Sequence, residues 1–177
     1  MTPPSQTDLS AFAGSWTLDP ARTSIEFHTK AMWVLPAKGT ARAIEGGGTV
    51  RTDGGFDGTL VIDAASIDTG NKKRDEHLRT ADFFEVEKYP TINFTATGGS
   101  LGSAGTVEVT GNLTIHGETK PLTMTAKVSS AGDSATVATE VDIDRGEWGL
   151  TWAKMGAGLK NRVVISAHFD RAPASTA

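Results

Sequence analysis

Apolar and polar positions alternate with a period of two along most of this chain. In Ser24-Ile25-Glu26-Phe27-His28-Thr29-Lys30 the odd positions are apolar or small and the even ones polar. Leu60, Ile62 and Ala64 oppose Thr59, Val61 and Asp63, and Ile92 and Phe94 alternate with Thr91, Asn93 and Thr95. The contrast sharpens further along. Val107, Val109, Leu113 and Ile115 interleave with Glu108, Thr110, Asn112, Thr114 and His116. Leu122, Met124, Ala126 and Val128 interleave with Thr123, Thr125 and Lys127. Val137, Val141 and Ile143 do so with Thr136, Glu140 and Asp142, and Val163, Ile165, Ala167 and Phe169 with Arg162, Ser166 and His168. Successive side chains leave a pleated backbone on opposite faces, so this is the repeat of β-strands. One dry and one wet face per strand predicts an antiparallel sheet, since parallel sheets bury both.

Turn residues punctuate these runs at Asp53-Gly54-Gly55, Gly98-Gly99, His116-Gly117-Glu118-Thr119 and Ala131-Gly132-Asp133, the third reading as a tight hairpin. Residues 40–51 are less regular, and Gly46-Gly47-Gly48 suggests a bulge or bend. The total is roughly eight to ten strands, the pattern of a sandwich or barrel. Asn71 to Phe84 departs from it. There Leu78, Ala81 and Phe84 recur at helical spacing, which predicts a short helix near 72–80 across one end of the β-domain. Tyr89-Pro90 then restarts an extended strand. The fold class expected is all-β: one antiparallel barrel of about eight strands plus a short helix.

The inner face bears on chemistry. In the clear strands it carries no Asp, Glu, Lys, Arg or His, so a deep general acid–base centre is not expected. It mixes Phe27, Leu60, Phe94, Leu113, Met124 and Phe169 with the small Thr29, Ala31, Ala64, Ala96, Gly111, Ala126, Ala135, Thr139 and Ala167. Such a mixture suits either a solid interdigitated core or an elongated apolar cavity. In a cavity each buried methylene contributes about 0.8 kcal/mol, enough to hold a long prenyl or acyl chain with few polar contacts. The lining would include Ile25, Phe27, Leu60, Ile62, Phe94, Val109, Leu113, Met124, Val141, Ile165 and Phe169.

Residues 144–160 hold Trp148, Trp152 and Met155 in what reads as loop, and these large side chains would fold over a barrel mouth as a lid. Trp33 and Val34 suggest a similar flap, and Phe83 and Phe84 anchor the helical segment at the mouth. The run Arg74-Asp75-Glu76-His77-Leu78-Arg79 reads as ion pairs pinning the helix; with Lys72 and Lys73 it also reads as a basic rim for a polar headgroup. None of the four histidines forms an HxH or HExxH pair, so no metal is expected; His28 and His168 meet only if their strands bring them together.

Composition narrows the classes. The 177 residues, 38% hydrophobic and 21% charged, suit one domain, taken as 14–170 with loose tails at 1–13 and 171–177. A net charge of −4 with mixed signs argues against nucleic acid as a partner. The absence of cysteine excludes disulfides, thiolate metal sites and a cysteine nucleophile. MTPPSQTDLSAFAG lacks the basic and apolar regions of a signal peptide, and no stretch suits a membrane-spanning helix, so a cytoplasmic location is expected.

Four stretches carry a resemblance: WTLDPARTSIEF, IDAASIDTGNKKRDEHLRTADFFEVEKYPTINF, GNLTIHGETKPLTM and IDRGEWGLTW. Together they run from about Gly14 to Phe169, and the chain resembles the YceI-like family of polyisoprenoid-binding, lipocalin-like barrel proteins. The match is weaker at Lys38-Gly39-Thr40, where a Gly-Phe pair is common in the family, and the closing WAKMGAGLKNRVV looks like cytoplasmic forms of Gram-positive bacteria. The resemblance implies a tunnel holding a polyprenyl phosphate, a quinone tail or a related lipid, with no other cofactor, no catalysis and a possible homodimer. A carrier or store for such a lipid is therefore expected. Two alternatives stand beside it: a cyclase or isomerase using Asp75, Glu76 or His77 at the mouth, and a solid-core stress or interaction module.

Overall fold

The structure, a computed structural model, describes residues 12–29, 37–101, 105–150 and 160–172. Nine strands form: β1 Gly14–Leu18, β2 Ser24–Thr29, β3 Ala37–Val50, β4 Phe56–Asp68, β5 Thr91–Leu101, β6 Thr106–Ile115, β7 Glu118–Ala131, β8 Ser134–Asp144 and β9 Lys160–Arg171. One helix, α1 Lys72–Leu78, lies between β4 and β5. Every ladder is antiparallel, in the order β1-β3-β2-β9-β8-β7-β6-β5-β4, and β3 pairs with β4 to close the ring.

The nine strands make an eight-stave barrel because β1 and β2 share one place between β3 and β9. Trp16 stands opposite Gly48 and Arg171, while Ile25 stands opposite Ala41 and Ile165. The joint between them is a 3-10 turn, Pro20–Arg22. Asp19 caps it, accepting from the Ala21 N–H at 3.1 Å and from Arg22 Nε at 2.6 Å. Pro20 suits the first position because its missing N–H would have no partner there. Closure leaves the ring without an unpaired sheet edge.

The β6–β7 hairpin turns on His116 and Gly117, both at positive φ (52° and 75°). Two such residues give the turn whose twist matches the flanking strands, and the expected tight hairpin is present. Gly98-Gly99 is not a turn. It lies inside β5 at a register shift, with Gly99 opposite Val109. A methyl on Gly99 would stand 1.8 Å from the Glu108 carbonyl oxygen, so glycine there serves close strand approach. The irregular 40–51 segment belongs to β3 up to Val50, and the register shifts of that strand fall at Thr40/Arg42 and Ala43/Glu45, before the three glycines.

Asn71 caps α1 by accepting from the Arg74 N–H at 3.1 Å. The buried Asp75 carboxylate accepts from the Thr69 N–H at 3.0 Å and from its hydroxyl, tying the helix to the end of β4. Arg74 Nε donates to the Thr69 hydroxyl at 2.8 Å. These bonds fix α1 at the barrel end where β4, β6 and β8 finish.

Candidate functional site: an apolar cavity

The interior is only partly filled. One buried cluster joins Leu18, Ile25, Ala43, Ile62 and Ala167; a second joins Leu113, Ile115, Trp148 and Leu150. A cavity of about 990 Å³ occupies the barrel. It is bordered by Ile25 and Phe27 from β2, Leu60 and Ile62 from β4, Phe94 from β5, Val109 and Leu113 from β6, Met124 from β7, Val141 from β8, and Ile165 and Phe169 from β9, among others. They converge because inward positions of a barrel recur at every second residue of each stave.

The wall is uneven in polarity along its length. At the α1 end it includes Thr29, Thr69, Asn71, Lys73, Arg74, His77, Arg145 and Asn161. The Thr29 hydroxyl donates to Asn161 Oδ1, bridging β2 and β9. The middle is aliphatic and aromatic apart from Thr139, whose hydroxyl donates to the Thr125 carbonyl at 2.8 Å. At the opposite end the wall takes in Phe12, Trp16, Val50, Phe56 and the edge of Asp57. Trp16 is held there by its Nε1–H donated to the Phe12 carbonyl at 2.7 Å and by the Arg171 guanidinium 4.5 Å over its ring. Both aromatic residues escaped the sequence reading. Phe12 lies in a segment read as tail, whereas the Trp16-Thr17-Leu18 alternation was a usable signal.

A YceI-like domain model matches residues 16–170. The chain belongs to the YceI-like family. YceI proteins of Salmonella arizonae and Salmonella newport are each 44% identical to it over 75 residues, 42% of this chain. The chain spans about 38% of the length of these curated relatives. Among solved structures, Burkholderia cenocepacia BcnA superimposes with a TM-score of 0.75 at 21% identity, covering 85% of this chain and 98% of that one. A polyisoprenoid-binding domain from Saccharophagus degradans gives 0.66 at 18% identity, covering 89% and 98%. Campylobacter jejuni YceI gives 0.65 at 21% identity, covering 81% and 90%. At these identities the likeness is one of fold.

Within this YceI-like barrel the residues expected at the mouth behave differently from one another. Phe83 and Phe84 border the cavity. Phe83 is buried, with the His77 ring edge-on at 5.2 Å and the Arg145 guanidinium 5.2 Å above its face. Trp148 is not among the residues that border the cavity. It is 2% exposed, donates Nε1–H to the Leu113 carbonyl at 2.8 Å, and packs against cavity-lining Leu113, Ile115 and Leu150. The reason is local: Arg145–Trp148 is a 3-10 turn closed by Gly149 in the left-handed region (φ 82°), which turns the indole inward. Trp33, Trp152 and Met155 lie outside the described residues.

Arg145 is the buried cation of the site. Its Nη1 donates to the Leu150 carbonyl, and burial lowers its pKa from the ordinary value, with nearby Asp144 acting in the opposite sense. It stays charged regardless, as guanidinium groups do in proteins.

His28 and His168 do not meet, because His28 stands opposite Arg162 and His168 opposite Thr136. His28 lies 3.8 Å from Glu26; His168 Nε2 lies 3.5 Å from Asp170 without hydrogen-bond geometry. Among the described residues no cluster of three or more His, Cys, Asp or Glu is arranged to hold a metal, and no helix is long and apolar enough to cross a membrane.

Proposed function

We propose that this YceI-like protein holds one long-chain apolar molecule in its barrel, a polyisoprenoid, an isoprenoid quinone or a related lipid, and acts as its carrier or store. One observation carries the reading: a cavity of about 990 Å³ whose titratable neighbours sit only at its ends. Small-molecule sites run to ~300–1,000 Å³, so this one has room for a large ligand. A polar molecule would lose its water along the middle of the cavity and gain few hydrogen bonds there. A hydrocarbon chain gains at every methylene. The polyisoprenoid-binding description of the Saccharophagus relative supports the isoprenoid class. The polar group of such a ligand suits the α1 end, beside Lys73, Arg74, Arg145 and Asn161.

The test is organic extraction of gently purified protein followed by mass spectrometry, with displacement of a fluorescent lipid probe alongside. A co-purifying apolar species and saturable displacement are expected. Repeated absence of both would overturn the reading.

An enzymatic reading rests on His77, which borders the cavity with Nε2 2.8 Å from Asp82. Asp75 is committed to Thr69, which removes it from that role. If the pair catalysed an isomerisation or cyclisation, His77→Ala would abolish turnover of a bound lipid while leaving binding intact. The carrier reading expects no turnover to lose.

A further inference from the structure

Aromatic side chains in a narrow barrel either cross its bore or lie along its wall. Phe27 lies along the wall, and the reason is a glycine. Phe27 on β2 stands directly opposite Gly39 on β3. A methyl group built on Gly39 would stand 2.3 Å from Phe27 Cζ, 2.6 Å from Cε2 and 2.9 Å from Cε1. Strands lie about 4.8 Å apart, so a ring that reaches the neighbouring Cα must span the gap between staves. The missing side chain of Gly39 is the notch that receives it. Phe94 repeats the arrangement diagonally, its Cζ 2.8 Å from where a methyl on Gly111 would stand.

The two notches differ in a way that makes one of them testable. At Gly111 the nearest obstacle is backbone, the Thr95 carbonyl oxygen at 2.2 Å, so a substitution there disturbs the strand itself. At Gly39 the three nearest atoms all belong to the Phe27 ring. A methyl there meets that ring first. Val163 flanks Phe27 on the opposite stave, which leaves the cavity as the open direction.

We propose that Gly39, by receiving the Phe27 ring against the barrel wall, sets the bore of the cavity and gives room for methyl-branched chains over straight ones. This rests on the reading that the cavity holds a lipid chain. A branched isoprenoid needs a wider channel than a saturated chain, so an intruding ring acts most strongly on the branched ligand.

The experiment uses the full chain, delipidated, and displacement of a fluorescent lipid probe by two alcohols of equal main-chain length: geranylgeraniol and its saturated straight-chain counterpart. Gly39→Ala should weaken the branched alcohol relative to the straight one by about tenfold, the scale on which an apolar pocket discriminates a methylene. Phe27→Ala combined with Gly39→Ala should restore the ratio. Phe27→Leu alone, which removes the ring without touching β3, should shift the ratio toward the branched alcohol and keeps the test decisive should Gly39→Ala fold poorly. An unchanged ratio in Gly39→Ala or Phe27→Leu, with the parent protein binding both alcohols, overturns this inference and leaves lipid binding intact. Failure of the parent protein to bind probe and alcohols overturns both.

Discussion

Glu85 and His116 face each other with 3.1 Å between Oε2 and Nε2, and both residues stand at positive φ, 48° and 52°. The contact ties the segment after α1 to the β6–β7 hairpin, and the His116 ring also lies 4.7 Å from that of Tyr89. A left-handed backbone costs an ordinary residue about 1–2 kcal/mol and glycine almost nothing. His116→Ala therefore loses the contacts and keeps the strain, whereas His116→Gly loses both. The glycine variant should be the more stable of the two by about 1 kcal/mol. Urea midpoints of the pair measure this; equal midpoints would show the turn to be unstrained.

Trp148 joins its 3-10 turn to β6 through the Leu113 carbonyl. Trp148→Ala should cost about 3–5 kcal/mol, the range for emptying a buried aromatic site. Trp148→Phe should cost less, chiefly the carbonyl left without its donor, about 1–3 kcal/mol. The check is a fall in denaturant midpoint at constant slope. A change within a few tenths of a kcal/mol would place the indole outside the packed structure.

Val109 lines the cavity and is only partly buried, so a larger side chain there enters existing space. Val109→Trp should keep the melting temperature of the unliganded protein close to the parent's. It should weaken lipid-probe binding by about tenfold or more, since the ring takes volume the chain would use. Calorimetry and probe titration on the same sample separate the two effects. Full-strength binding by a folded Val109→Trp would place the ligand elsewhere.

Asp19 supplies a pH signature. Its hydrogen bond from Arg22 chiefly holds its carboxyl below the usual value of 3.8, against a smaller desolvation effect. A carboxyl depressed in the folded state stabilises fully above its unfolded pKa, and that stabilisation is lost as pH falls through the folded value. Asp19→Asn should thus be less stable than the parent at neutral pH, with the gap closing in acid below about pH 4. Midpoints measured across that range decide it. A gap that stays constant into acid would mean the carboxylate charge plays no part.

The lining was readable because it depends on parity alone. Once Leu113 and Met124 are assigned to the inward face, the pleat assigns their neighbours too; most residues named this way border the cavity, whereas the inward Ala64 and Gly111 do not. What resisted reading depends on contacts between distant segments. Nothing near Gly98-Gly99 distinguishes a turn from a strand pressed against Glu108. Trp148 reads from the sequence as a side chain over the barrel mouth, and its packing on Leu113, Ile115 and Leu150 and its bond to the Leu113 carbonyl depend on segments distant in the chain. Likewise Asp75 sits in a run of charges that reads as ion pairs pinning the helix, yet its buried carboxylate accepts from the Thr69 N–H and hydroxyl. The Gly39 notch was invisible for the same reason, since its partner Phe27 is supplied by another strand.

The shared stave of β1 and β2 has a consequence for how the protein comes into being. That stave is flanked by β9, so the earliest strands find a ring partner in the last one. The Arg171 guanidinium donates to the Ala13 carbonyl, and the Ala172 N–H donates to that of Ser15 at 2.8 Å. The barrel therefore closes only when β9 is in place between β2 and β8. Pairing across nearly the whole sequence is entropically late and slow. Until β9 pairs with both β2 and β8, the apolar inner face of the other strands is not enclosed.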